Sequence, residues 1–237
     1  MLNEFVTYLK TYFKKKNTLN INRSNYEHFS FDLWLTLIKS NPEYKTKRNN
    51  LFRDFYKVDQ SIEKVAESIR KFDVLCNNVN EKTGKNFDTF EIYYLILNDL
   101  GVDIFDFDSK KLQDFYNETE QILLLHKPIL INQEISTVFS NIISENKTIN
   151  ILSNTAFIKG QSLRKVLEHY ELNQYFAFQL YSDETGISKP NPQFFQKVYD
   201  EVLAKKSIEK SKIVHIGDNK IADYQGALQF GFSAILI

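Results

Sequence analysis

Three carboxylates, a serine, an asparagine and one lysine stand at the ends of short apolar segments. Together they could attack an electrophile that carries negative charge. Asp32 ends the apolar start of FSFDLWLTLIKSNP, residues 29–42. An acid at the end of a buried strand is costly unless it is paired or binds a cation. Ser153, Asn154 and Thr155 close the run TINILS at 148–153. Gly217, Asp218 and Asn219 close KIVHI at 212–216, and Asp223 lies five residues beyond Asp218. Ser188, Lys189 and Pro190 stand between the apolar runs 176–181 and 212–216. Carboxylates brought together repel one another and call for a cation, and an oxygen-rich ligand set selects magnesium. A metal beside Asp32 would keep it ionised and let an oxygen approach a phosphoryl group. Aspartate is a covalent nucleophile of this kind. Ser153 and Lys189 could hold the oxygens of the transferring group and offset their charge.

These residues converge only if the segments before them are parallel strands. From Pro128 onward apolar runs alternate with helical stripes. A helix over 133–145 carries Ile135, Val138, Phe139, Ile142 and Ile143. Strand 148–153 follows, then a helix with Leu163, Val166, Leu167 and Tyr170. Strand 176–181 precedes a helix capped by Asn191 and Pro192. Strand 212–216, a helix with Ile221, Tyr224, Ala227 and Leu228, and strand 232–237 complete the run. The first strand is expected at 28–33. Such alternation implies a doubly wound parallel sheet, with ligands at the carboxyl ends of the strands.

Between 43 and 126 the pattern is helical only. Apolar stripes of about four helices run through Leu51–Tyr56, Ile62–Cys76, Tyr93–Leu100 and Leu112–Leu123. Ser61 and Asp88 are suited to cap the second and third, and Gly101 to end the third. The fold expected is an α/β, three-layer core over 21–42 and 127–237, with this all-helical insertion at 43–126. Residues 1–20 form an N-terminal extension, with an amphipathic helix over 2–14 that carries Phe5, Tyr8, Leu9, Tyr12 and Phe13. This helix is expected to pack on the main body or on a second copy, as in a homodimer.

Composition narrows the partners. The 30 basic residues balance the 30 acidic ones, so no net field favours nucleic acid or an anionic membrane. Cys76 is the one cysteine, which excludes an internal disulfide framework and a cysteine-rich zinc site. The opening MLNEFVTYLKTYFKKKN lacks the apolar core of a signal peptide, and no run is long enough to span a bilayer. The expectation is a cytoplasmic protein whose partner is a small anionic molecule.

The order D-x-x-x-T-L, hydrophobic-S-N, S-K-P and G-D-x-x-x-x-D resembles the haloacid dehalogenase (HAD) superfamily, over most of 28–237. The resemblance implies a Rossmann-like core and a hydrolase. It implies Asp32 as nucleophile and metal ligand, Ser153 as holder of the oxyanion, and Lys189 as charge stabiliser. It makes Asp218 a magnesium ligand, with Asp223 in support and the backbone carbonyl of Trp34 completing the set. Trp34, Thr36 and Asn154 are expected around the substrate. Residues 43–126 become a mobile cap, hinged at Lys39–Pro42 and His126–Pro128.

One departure matters. Family phosphatases usually carry an aspartate two residues after the nucleophile as acid and base, and here that residue is Trp34. Indole only donates a hydrogen bond. Two alternatives to a magnesium-dependent phosphatase therefore stand. One is carbon–halogen hydrolysis, in which Asp32 attacks carbon. The other is a catalytically impaired relative that serves as a binding module. His215, inside an apolar strand, reads as a hydrogen-bonded core histidine rather than a catalyst.

Overall fold

The computed structural model describes residues 25–105 and 108–237. The helix expected over 2–14 lies outside the described residues. Among those described, five parallel strands form one sheet in the order β5-β4-β1-β6-β7. They are β1 (His28–Phe31), β4 (Thr148–Ser153), β5 (Phe176–Tyr181), β6 (Ile213–Gly217) and β7 (Ser233–Leu236). β1 comes first in the chain and sits in the middle of the sheet. The chain builds outward from it to β5 on one side, then returns to build β6 and β7 on the other. The crevice where the order reverses is therefore at the carboxyl end of β1.

Helices α5 (Ile135–Ser144), α6 (Gly160–His169), α8 (Pro192–Leu203) and α9 (Gly226–Phe230) cover the sheet. Phe29, Phe31, Ile149, Ile151, Val214 and Ile216 are fully buried under them. Their continuous burial fits a parallel sheet that is covered on both faces. The α/β reading is correct, and most element boundaries fall within two residues of expectation, the usual scatter of helix and strand ends. β1 ends earlier than expected. Leu35 has φ 60° and the amides of Leu37 and Ile38 both donate to the Leu33 carbonyl, so the chain curls after Asp32.

Four helices fill the insertion: α1 (Pro42–Phe55), α2 (Ile62–Thr83), α3 (Thr89–Asp99) and α4 (Ser109–Leu125). Asn41 caps α1 ahead of Pro42, Ser61 caps α2 and Asp108 caps α4. Asp88 and Glu91 form a capping box at α3, and Gly101, with φ 73°, follows its end. The helices bury their own aromatic cluster, centred on Phe52, Tyr56, Tyr93 and Phe115. That cluster is separate from the one beneath the sheet.

The chain enters and leaves this helical body through a small antiparallel ribbon that the sequence did not reveal. In it β2 (Ile38–Lys39) pairs with β3 (Ile129–Leu130). Two-residue strands are too short to show a period of two. A short helix, α7 (Ser182–Thr185), was also unforeseen. No described helix is long and apolar enough to cross a membrane.

Phe31 is fully buried and meets Phe139 edge-on, with ring centroids 5.2 Å apart. Phe31→Ala is expected to cost about 3–5 kcal/mol of unfolding free energy, measured by urea denaturation. A loss below about 1 kcal/mol would mean that this face of β1 is not the core.

Candidate active site

Successive side chains of a strand point to opposite faces. Along β1 and the two residues after it, Phe29, Phe31 and Leu33 take one side, and His28, Ser30 and Asp32 take the other. The polar row continues across the sheet, because Ser30 is in register with Asn150 of β4 and His215 of β6. Asp32 ends that row at the crevice.

Lys189 comes to Asp32 from the loop before α8. Its ammonium donates to Asp32 Oδ1 at 2.8 Å, to Asp223 Oδ1 at 2.6 Å and to the Leu152 carbonyl at 2.6 Å. All three protons are used, so the lysine tolerates being 1% exposed. Asn154 fixes the same loop reciprocally. Its Oδ1 accepts from the Lys189 amide at 2.8 Å, and its Nδ2 donates to the Lys189 carbonyl at 3.0 Å.

Asp223 lies in a π-helical stretch, Lys220–Gln225, where a single regular helix was expected. Such irregularities are frequent at functional sites. Its Oδ2 accepts from the Asn219 amide at 2.9 Å and its Oδ1 from His215 Nε2 at 3.1 Å. Gly217 makes this approach feasible: a Cβ there would stand 2.2 Å from Asp223 Oδ2.

The electrostatics follow from burial and charge. Burial pushes the Asp32 carboxyl up to about 7, with Lys189 pulling it down and Asp223 and Asp218 pushing it further up. Asp218 is also raised, first by burial and then by Asp223. Burial works against the Lys189 ammonium, yet Asp223 and Asp32 outweigh it and hold the lysine above its ordinary value. Burial would raise Asp223, but Lys189 and His215 hold it well below the usual carboxylate range. His215 is lowered, first by burial, so the neutral ring donates from Nε2 and takes the Ser30 hydroxyl at Nδ1.

An oxygen from each of Asp32, Asp218 and Asp223 lies within 4.8 Å of the others. Three carboxylates against one ammonium leave two negative charges uncompensated when all are ionised. A divalent cation fits that deficit, and the all-oxygen set suits a hard ion.

The other expected residues are placed unevenly. Trp34 is half-buried, packs on the main core, and lines the cavity above Asp32. Asn154 also lines it. Ser153 is fully buried, its hydroxyl donating to the Asn154 carbonyl at 3.1 Å. Thr36 is buried away from the cavity wall, and its Oγ1 has no hydrogen-bond partner. His215 is a core histidine, as read, but it also touches Asp223. The signal for that contact was the alternation His28, Ser30, Asp32 and a polar residue inside KIVHI.

Comparison with known proteins decides the family. A family model for haloacid dehalogenase-like hydrolases matches residues 26–231. The chain belongs to that family. The rhythmically expressed gene 2 protein of Drosophila melanogaster is 33% identical over 75 residues, which are 32% of this chain and 28% of that relative. The chain thus spans about a quarter of that relative's length. Among solved structures, the HAD-hydrolase YfnB from Bacillus subtilis, bound to magnesium, has a TM-score of 0.66 at 16% identity, covering 90% of this chain and 88% of that one. The 2-haloacid dehalogenase from Pseudomonas syringae pv. Tomato DC3000 has a TM-score of 0.58 at 22% identity, covering 89% and 86%. The likeness shows the fold; the solved neighbours include both phosphatases and dehalogenases.

In this HAD-like hydrolase the site opens into a cavity of about 630 Å³, between the strand ends and the helical body. Gly217→Ala should drive Asp223 from its place and cost about 1–3 kcal/mol, read by thermal unfolding. An unchanged Tm, with Asp223 still beside Lys189 in a crystal, would contradict the close approach.

Proposed function

We propose that this hydrolase is a magnesium-dependent phosphatase of a small phosphorylated molecule, working through an aspartyl intermediate at Asp32. The observation that carries the reading is Lys189 held between Asp32 and Asp223 beside a third carboxylate, at the floor of a ligand-sized cavity. Asp32 and Asp218 would hold the magnesium, with the Trp34 carbonyl. The ion would keep Asp32 ionised and offset the phosphoryl charge. Both oxygens of Asp223 already accept hydrogen bonds, so Asp223 fixes Lys189 and the Asn219 backbone and adds to the negative field.

Lys189 holds Asp32 Oδ1, which leaves Oδ2 to attack phosphorus. The bond to the leaving oxygen breaks, and that oxygen departs with the electron pair. Water then attacks the aspartyl phosphate, releases phosphate and restores the carboxylate. Ser153, turned from Asn154, would donate to the transferring oxygens, and the Lys189 charge offsets theirs through space while its protons stay with Asp32, Asp223 and the Leu152 carbonyl. Residues 43–126 act as the cap that closes the cavity, hinged at the β2–β3 ribbon.

Trp34 favours a second reading. A halide leaves without a proton, so carbon–halogen hydrolysis does not need the missing acid. Metal dependence separates the two. Hydrolysis of an aryl phosphate should require magnesium and vanish in Asp32→Asn; metal-independent release of halide from a haloacid would replace this reading with the second.

An indole beside the nucleophile supplies no proton, so aryl and acyl phosphates should be favoured over sugar phosphates. Trp34→Asp is expected to raise kcat/KM for an alkyl phosphate about tenfold or more. If the wild type already matches the variant on alkyl phosphates, another group supplies the proton.

A further inference from the structure

The cavity is larger than a phosphoryl group needs. Its volume of about 630 Å³ falls within the roughly 300–1,000 Å³ typical of small-molecule sites. A substrate larger than a phosphoryl group would extend from Asp32 towards the residues of α1 and α2 that also line the cavity.

The charges among these residues are unequally satisfied. On α2, Arg70 pairs with Asp73 at 2.9 Å, and Glu81 accepts from Asn219 Nδ2 at 3.0 Å. On α1, Lys45, Arg48 and Asn49 share one helical face by their i, i+3, i+4 spacing. No described carboxylate pairs with Arg48. Its Nε and Nη2 donate to Asn49 Oδ1 at 3.2 and 2.9 Å. Its guanidinium lies over the Phe157 ring at 5.0 Å and near the Tyr44 ring at 5.7 Å. Two aromatic side chains and one amide thus hold the guanidinium in place; Arg48 lines the cavity, and Nη1 makes none of the described hydrogen bonds.

A planar guanidinium fixed before binding is suited to a planar or multi-oxygen anion, because little side-chain entropy remains to be lost. On the phosphatase reading, a cation held by Asp32 and Asp218, together with the Lys189 charge, would serve the phosphoryl group beside Asp32. We propose that Arg48 is a specificity-determining residue that binds a second anionic group, a carboxylate or a second phosphate, at the far end of the substrate. Lys45 adds positive potential to the same wall. The substrate class is then a doubly anionic phosphate ester. This inference rests on the phosphatase reading of Asp32.

The test compares phenyl phosphate, 4-carboxyphenyl phosphate and 1,4-phenylene bisphosphate in the full chain with magnesium. Wild type should prefer the doubly anionic compounds by about tenfold or more in kcat/KM, mostly through KM. Arg48→Gln should bring that ratio near one, and Arg48→Lys should keep part of it. Arg53→Gln, on the same helix but paired with Asp54 at 3.1 Å, should leave the ratio unchanged. A gain confined to the carboxylate compound narrows the class to phosphorylated carboxylic acids. Calorimetric binding to Asp32→Asn, with and without Arg48→Gln, reads the subsite independently of turnover. Turnover of all three compounds without preference overturns the subsite and leaves the phosphatase standing. Absence of turnover in wild type overturns the phosphatase. In that case, binding of 4-carboxyphenyl phosphate unaffected by Arg48→Gln overturns the subsite as well.

Discussion

Lys189 is a buried ammonium surrounded by partners, and the site is arranged around it. Removing such a charge from water costs several kcal/mol, repaid only when every proton is donated and opposite charge is close. The Leu152 carbonyl, Asp32 and Asp223 meet that condition together. Each is fixed by a different part of the fold: β4, β1 and the π-helical stretch after β6. Deleting either carboxylate would leave the ammonium undercompensated in a dry place. Gly217, Asn219 and His215 serve the same end, since all three bear on where the Asp223 carboxylate can sit.

The central place of β1 follows from the same requirement. A strand flanked on both sides by parallel partners can take groups from each side at its carboxyl end. β4 brings the Leu152 carbonyl and Asn154, and β6 brings Gly217 and Asp218. An edge strand would have reached only one set. The polar row of Asn150, Ser30 and His215 runs through the apolar sheet to this point; His215 joins Ser30 to Asp223, and Asn150 Oδ1 bonds to His28, while Asn150 Nδ2 is buried without a partner.

Much of this was legible in the sequence. Strands 148–153 and 176–181 were read at their observed bounds, because each is a short apolar run between clear helical stripes. The four insertion helices were legible from their stripes and from Ser61 and Asp88. The convergence of Asp32, Lys189, Asp218 and Asp223 followed from parallel strand order. Beyond α7 and the π-helical stretch, three further things did not show. The β2–β3 ribbon is too short to leave a periodic signal. The inward direction of Thr36 depends on the curl after Asp32, which Leu35 makes with a backbone angle that leucine rarely adopts. The cavity-facing residues of α1 and α2, Arg48 among them, look like any solvated helix face until the helices are placed over the sheet.

The turn between α2 and α3 ties that placement to the chemistry. Lys85 forms an antiparallel bridge with Ile187, and the Gly84 carbonyl accepts from the Ser188 amide at 3.0 Å and from Asn191 Nδ2 at 3.1 Å. Asn86 Oδ1 takes the Ser182 hydroxyl at 2.6 Å and that of Ser188 at 3.3 Å. These bonds flank Lys189 on the loop that carries it. The helical body is therefore joined to the core at the ribbon and again beside the buried lysine. Lifting it would break the second set and leave the backbone groups of Gly84 and Ser188 to water. The loop that delivers Lys189 would then be held chiefly by Asn154 and by the bonds of the ammonium itself. The position of the helical body and the order of the lysine loop are thus physically coupled, although the two are about a hundred residues apart in the chain.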